Sequence, residues 1–198
     1  MTQAESPMSI MDAIHNRRSV RSYLPQRLEP ATIRALLETA VWAPTAVHEE
    51  PWQFVIVQDR AVLQRLSDRA KKIFLAEAEG SLPEQARHLR DMLADPDFNI
   101  FYDAGTLIVI CARPKSAFVT ADCWLAAENL MLAAYGMELG SCVIGFAVPA
   151  LNTPEIKAGL GIPAECSAVA PIILGVPSGE APRTTRKEPE ILTWKVEE

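Results

Sequence analysis

Between Arg17 and Arg21 the chain gathers three guanidinium groups and a hydroxyl into five residues, Arg17–Arg18–Ser19–Val20–Arg21. Guanidinium forks bind phosphate oxygens in pairs and remain charged at any physiological pH. In an extended segment Arg17, Ser19 and Arg21 point to one side, which would offer an elongated anionic ligand its donors along one edge. A basic helix end that offsets the helix dipole is the commoner explanation of such residues. The cluster alone leaves both readings open.

A second group of residues runs from Ala43 to Trp52, where Pro44 and Pro51 stiffen a loop that ends in a large indole. Such a loop can form a rigid ledge beside a planar ligand. His48 and Glu50 inside it could take part in acid–base chemistry, since imidazole titrates near neutrality and a carboxylate can orient it. Simple loop hydrogen bonds explain the pair as well. With only His15, His48 and His88, and no HxxxH or HExxH spacing, no metal site is expected. A third feature, Gly136 to Phe146, contains small residues that let backbone approach a flat ligand and leave amide groups free to donate. No GxGxxG follows a strand and no GxxxxGK[ST] occurs, so a dinucleotide fold of the Rossmann kind and a P-loop are both unsupported.

These residues need elements to hold them, and the apolar pattern supplies candidates. The spacing predicts helices over Ile10–Asn16 and from Pro30 to about Val41, then a loop from Pro44 to Pro51. A strand over Gln53–Val57 comes next, then a helix capped by Asp59 and running to about Ala78, and a charged helix reaching Asp97. Ala104–Cys111, Ser141–Ile144 and Ser167–Gly175 read as further strands, and Thr153 opens a short helix through Gly159. Between Ala121 and Leu139 lies a helix that is apolar nearly all round. Either it is the central core helix of a monomer or a second subunit covers part of it. After Gly175 the composition turns to Pro, Gly and charge until Ile191, Leu192, Trp194 and Val196, an arm that docks on another subunit or a frayed terminus.

Bulk properties set the frame. The 198 residues suit one domain, and a net charge of −6 argues against nucleic-acid or anionic-membrane partners. The opening residues, with Glu5 and no basic start, do not resemble a signal peptide, and no apolar run approaches the roughly 20 residues of a spanning helix. Cys111, Cys123, Cys142 and Cys166 lack CxxC spacing and sit in apolar surroundings, so packed reduced thiols in a reducing cytoplasm are expected.

Taken in order, RRSVR, the loop APTAVHEEPW followed by QFVIV, AAENLMLAAYGMELGSCVIGF and GVPSGEAPRTTRK fall in the register of one family. Over nearly its whole length the chain resembles the nitroreductase family of FMN-dependent oxidoreductases. The resemblance implies an α+β fold with a mixed, mainly antiparallel central sheet flanked by helices, and a homodimer with a domain-swapped C-terminal arm. A single domain over residues 1–198 is implied, with 1–8 flexible and 178–198 forming the arm that reaches the partner. FMN would lie in the subunit interface. Arg17, Arg18, Ser19 and Arg21 would hold its phosphate, ribityl chain and pyrimidine edge, with Arg186 and Lys187 completing the phosphate grip. Pro44, Thr45, Ala46 and His48 would approach from the other subunit, and Asp122 would offer a polar contact. Val143, Ile144 and Gly145 would lie along the isoalloxazine, with a backbone N–H near Gly145 directed at flavin N5.

The implied reaction is a ping-pong hydride transfer from NADH or NADPH through the flavin to a nitroaromatic, quinone or related acceptor. Arg21 is the candidate cation for the charge that develops at the flavin's N1 and C2 oxygen. No side chain is assigned as an essential acid or base. Other reactions on the same flavin, namely enone reduction, dehalogenation or flavin fragmentation, remain alternatives, as does flavin binding without turnover. Many relatives carry Asn and Gln where this chain has His48 and Glu50, which exchanges neutral amides for groups that titrate. Residues from Lys71 to Phe101 would cover the mouth of the site, with Phe98, Phe101 and Tyr102 as candidate lining residues, although aromatics before a strand are more often core.

Overall fold

The computed structural model describes residues 8–78, 87–113 and 116–196. Apart from Met8, the segment expected to be flexible at the start of the chain lies outside the described residues, as do residues 79–86 of the expected charged helical region.

Helix α1 (Ile10–Asn16) opens with a reciprocal cap: Ser9 Oγ accepts from Asp12 N at 3.1 Å, and the Asp12 carboxylate accepts from Ser9 N at 3.3 Å. Helix α2 (Pro30–Ala40) starts on a proline, whose missing N–H would have had no intrahelical acceptor. Strand β1 (Trp52–Val57) leads to α3 (Arg60–Ala78), where Asp59 Oδ1 accepts from Val62 N at 3.0 Å. Helix α4 (Arg87–Ala94), strand β2 (Thr106–Ala112), helix α5 (Val119–Gly136) and strand β3 (Gly140–Val143) follow. The chain then forms α6 (Ala147–Leu151), α7 (Pro154–Leu160) and β4 (Ser167–Gly175). Helix α6 goes beyond the elements that the sequence pattern marks, and it contains Pro149. Proline falls at its third residue, however, where the N–H is not part of the helical ladder.

The strands pair in the order β1-β2-β4-β3, each pair antiparallel. The parallel pairing recorded among the described residues is the isolated bridge of Ser19 with Ser141. Strand β2 is buried along its whole length and feeds both faces by alternation. Leu107, Val109 and Cys111 join the core beneath α3 and α6, while Ile108, Ile110 and Ala112 join the core beneath α2 and α5. Two helical layers therefore enclose one α+β sheet.

Helix α5 buries Cys123, Ala126, Ala127, Leu130 and Ala134 against the sheet but leaves Trp124 and Leu125 at the surface. Ile10, Met11 and Ile14 of α1 and Trp42 after α2 are also exposed apolar residues. No helix among the described residues is long and apolar enough to cross a membrane. Beyond Pro177 the described tail carries no helix or strand, and Ile191, Leu192, Trp194 and Val196 are between 61% and 89% exposed.

Candidate functional site

The arginine segment leaves α1 and lies along the end of β3. Val20 N donates to Ser141 O at 3.0 Å, and Tyr23 OH donates to Val20 O at 2.8 Å. A Cβ at position 140 would stand 2.8 Å from the Val20 Cβ, so Gly140 is what allows this close approach. Val20 is buried while Ser19 and Arg21 are exposed, the alternation of an extended strip.

The three arginines divide between the two readings of the sequence. Arg18 donates to His15 O at 2.7 Å and to Arg17 O at 2.9 Å, closing the end of α1. Arg17 Nε lies 3.6 Å from Glu128 Oε1, an ion pair longer than a hydrogen bond. Arg17 Nε and Arg18 Nε are buried without a hydrogen-bond partner, as is Ser141 Oγ. Buried donors of this kind are the ones an anion can satisfy.

Arg21 lines a cavity of about 380 Å³ together with Val143, Ile144 and Gly145. Phe98, Tyr102 and Phe146 contribute aromatic surface to the same cavity, while Phe101 is fully buried in the core. A Cβ added at Gly145 would meet no atom within 4 Å, so the backbone there is open to a ligand. Cys142, on the same strand, also lines the cavity. Burial pushes its thiol up, while Arg21, a hydrogen bond from Ser19 and then Arg17 pull it back.

Arg17 and Arg18 line a separate groove of about 460 Å³ with Gly140 and with Arg183 of the tail. The tail is led there by Leu24 N donating to Val176 O at 2.9 Å and Ser178 N donating to Ser22 O at 3.1 Å. Arg186 and Lys187 lie further along and are exposed, and among the described residues Arg186 donates to the nearby Thr184 and Thr185. Sequence reasoning had no signal to prefer them over Arg183, because the tail has no periodicity to orient its charges.

The Pro44 loop is held elsewhere. Ala46 N donates to both carboxylate oxygens of Asp122 at 3.3 Å, and Ser116 Oγ donates to Glu49 Oε2 at 2.6 Å. Asp122 is buried at the start of α5, so its role here is to anchor the loop. Val47, His48 and Glu50 adopt φ of 49°, 54° and 43°, values strained for side chains other than glycine. Val47 is 90% exposed, and His48 and Glu50 are exposed too. None of Pro44, Thr45, Ala46 and His48 lines the cavity lined by Arg21 of the same chain. Among the described residues, no three His, Cys, Asp or Glu side chains gather as a metal centre would require.

Comparisons with known proteins show the family and the fold. An Archaeoglobus fulgidus protein provisionally named an NADH dehydrogenase/NAD(P)H nitroreductase is 29% identical over 172 residues, 84% of either chain. An iodotyrosine deiodinase of Thermotoga neapolitana is 24% identical over 90% of this chain and 94% of its own. The crystal structure of a Bacteroides fragilis nitroreductase with bound FMN superimposes with a TM-score of 0.80 at 27% identity, covering 96% of this chain and 100% of that one. The model of the Nitroreductase family matches residues 14–176, a span that holds the arginine strip, the Pro44 loop, the sheet and the Gly145 turn. The chain belongs to the nitroreductase family.

Proposed function

We propose that this chain is an FMN-dependent NAD(P)H oxidoreductase that works as a homodimer and reduces nitroaromatic, quinone or related acceptors. The observation that carries this reading is the cavity that Arg21 lines together with Val143, Ile144 and Gly145. A flat ring fits between aromatic walls and an open glycine backbone, and the cation sits where it can favour a negatively charged ring edge. The buried Nε atoms of Arg17 and Arg18, neither of which has a hydrogen-bond partner, suit a phosphate. When bound, FMN would supply the redox chemistry, passing hydride from NADH or NADPH to the acceptor in a ping-pong cycle.

On this reading Arg17, Arg18, Ser19 and Arg21 bind the cofactor from one edge, and the tail brings Arg186 and Lys187 to the phosphate once it docks on a partner subunit. Val143, Ile144 and the backbone N–H at Gly145 orient the ring. Phe98, Tyr102 and Phe146 exclude water from the acceptor's side. Pro44, Thr45, Ala46 and His48 are contributed across the interface, with Asp122 holding their loop in place. No side chain is assigned a proton to donate or remove. The chain acts as one domain over 1–198, and residues 178–198 are the arm exchanged between subunits. The four buried, unpaired thiols suit a reducing cytoplasm.

The purified protein tests the reading directly. A flavin absorption band that NADH or NADPH bleaches without oxygen, and turnover of a nitroarene or a quinone, are expected. Protein that stays colourless and takes up no added FMN would overturn the reading. Bound flavin that neither nucleotide reduces would make the chain a flavin-binding protein instead. The deiodinase relative makes an iodinated phenol the natural competitor substrate, and turnover of that compound alone would move the assignment to dehalogenation.

A further inference from the structure

Tyr102 stands in a conformation that its side chain disfavours. Its φ is 51° and that of Asp103 is 55°, two consecutive residues in the left-handed region with neither a glycine. A bulky side chain there is strained and persists only where the surroundings over-determine it. The surroundings do so from both sides.

Upstream, the buried Lys71 ammonium donates to the carbonyls of Asp95, Pro96 and Phe98 at 3.1, 3.3 and 2.7 Å. Ser67 Oγ accepts from Ile100 N at 3.0 Å, and Asn99 Oδ1 accepts from Phe101 N at 2.8 Å. Phe101 is fully buried and anchors the centre of the turn. Downstream, Gly105 passes so close to the backbone of Gln26 that a Cβ would fall 2.0 Å from its carbonyl oxygen. A turn pinned at both ends has little freedom to relax, and Tyr102 carries the strain.

The result of that strain is a ring in the cavity. Tyr102 meets Phe98 edge to face, with centroids 5.6 Å apart, and the Arg21 guanidinium carbon stands 5.9 Å from the Tyr102 centroid. That distance is within cation–π range. Arg21 has a long flexible stem, and a ring beside its guanidinium narrows the places the charge can occupy.

We propose that Tyr102 is a positioning residue for Arg21, its strained turn holding the ring where it fixes the guanidinium at the cavity wall. The proposal rests on the cavity being the FMN site. It assigns a role to the Phe98–Asp103 turn that the cofactor contacts alone do not require. The phenol hydroxyl plays no part in it; the ring face does.

The test is a double-mutant cycle on FMN affinity, measured by quenching of flavin fluorescence as apoprotein is titrated. Tyr102→Leu is expected to weaken FMN binding about two- to five-fold, the ratio matching the loss of one solvent-accessible cation–π contact. Tyr102→Phe is expected to bind as the unaltered chain does. In an Arg21→Ala background, Tyr102→Leu is expected to change the affinity no further, because the group it positions is gone. Equal losses in both backgrounds would overturn the proposal, since Tyr102 would then act on the ligand by itself. So would an unchanged affinity in Tyr102→Leu, or a loss in Tyr102→Phe as large as that in Tyr102→Leu. If the unaltered chain binds no FMN, the cofactor reading falls and the proposal with it. A thermal melt of each variant separates these results from loss of fold.

Discussion

An added methyl group at Gly105 would lie 2.0 Å from the Gln26 carbonyl oxygen, whereas at Gly145 it would meet nothing within 4 Å. The two glycines must therefore fail in different ways when enlarged. Gly105→Ala forces backbone against backbone, and its cost belongs at the upper end of the roughly 1–3 kcal/mol typical of overpacking. Chemical denaturation should register it as a lower midpoint. Gly145→Val should leave that midpoint within error, because its new side chain projects into the cavity and not into the core. Its effect should be on retained FMN, read as the ratio of flavin to protein absorbance after gel filtration. A Gly145→Val variant that unfolds more readily than Gly105→Ala would show the cavity wall to be part of the packing.

The arginines separate at the same scale. Arg18 spends its guanidinium on two carbonyls at the end of α1, and Arg17 leans on Glu128, so Arg21 is the one that lines the cavity. Arg21→Ala is expected to weaken FMN binding by on the order of 1.5–3 kcal/mol, the range for a hydrogen bond to a charged group. Arg17→Ala is expected to cost less, because Glu128 already competes for its charge. Titration calorimetry on apoprotein gives both numbers, and equal losses would contradict the ordering.

Among the elements, α3 shows how a short polar contact sets a boundary and a pH dependence together. The Asp59 carboxyl is held below the usual carboxylate range, first by the backbone N–H of Val62 and more weakly by that of Ala61 and by nearby arginines. A carboxyl that ionises more readily in the folded state adds stability above its unfolded pKa of about 3.9, and that contribution is lost as the pH falls through the lower folded value. The melting temperature of Asp59→Ala should therefore trail the unaltered chain by a constant gap above about pH 5 and converge with it in stronger acid. A gap that widens on acidification would assign the wrong sign to this cap.

The same local signals explain what could be read without coordinates. Ile10–Asn16 and Ser167–Gly175 were legible to the residue, since a cap or a proline-and-glycine boundary closes each apolar pattern. Helix α6, which contains Pro149, lies beyond the elements that the sequence pattern marks, and the left-handed residues of the Pro44 loop were hidden because Val47 is among the side chains least suited to them. At the site, the arginine strip and the glycine turn could be named from the sequence, and the family resemblance gave them a ligand. Their meeting in one cavity depends on the pairing of β3 with β4 and on the Ser19–Ser141 bridge, contacts far apart in the chain that no local pattern encodes. Cys142 and Arg183 were missed for the same reason. Only the folded path brings one to the cavity and the other to the groove.

For the molecule as a whole, the two halves of the proposed site do not meet within one chain. Arg21 and Gly145 share a cavity, while the Pro44 loop is tied to the start of α5 and lines none of it. The same chain leaves several apolar side chains in water: Trp124 and Leu125 on α5, Ile10 and Met11 on α1, and Trp42, which is 86% exposed. Exposed apolar side chains favour association, and those at the end of the tail would add to it on the proposed reading. If the dimer completes the site, cofactor retention must follow subunit association. Leu125→Glu places a charge on the outer face of α5 without disturbing the residues that α5 buries against the sheet, and it should yield monomers by sedimentation velocity. Those monomers should melt cooperatively yet retain little FMN, although every residue lining the Arg21 cavity is unchanged. Dilution of the unaltered protein should release flavin over the same concentration range in which the dimer dissociates. Monomers that keep their flavin as well as the dimer does would place the complete site within one chain and remove the Pro44 loop from it.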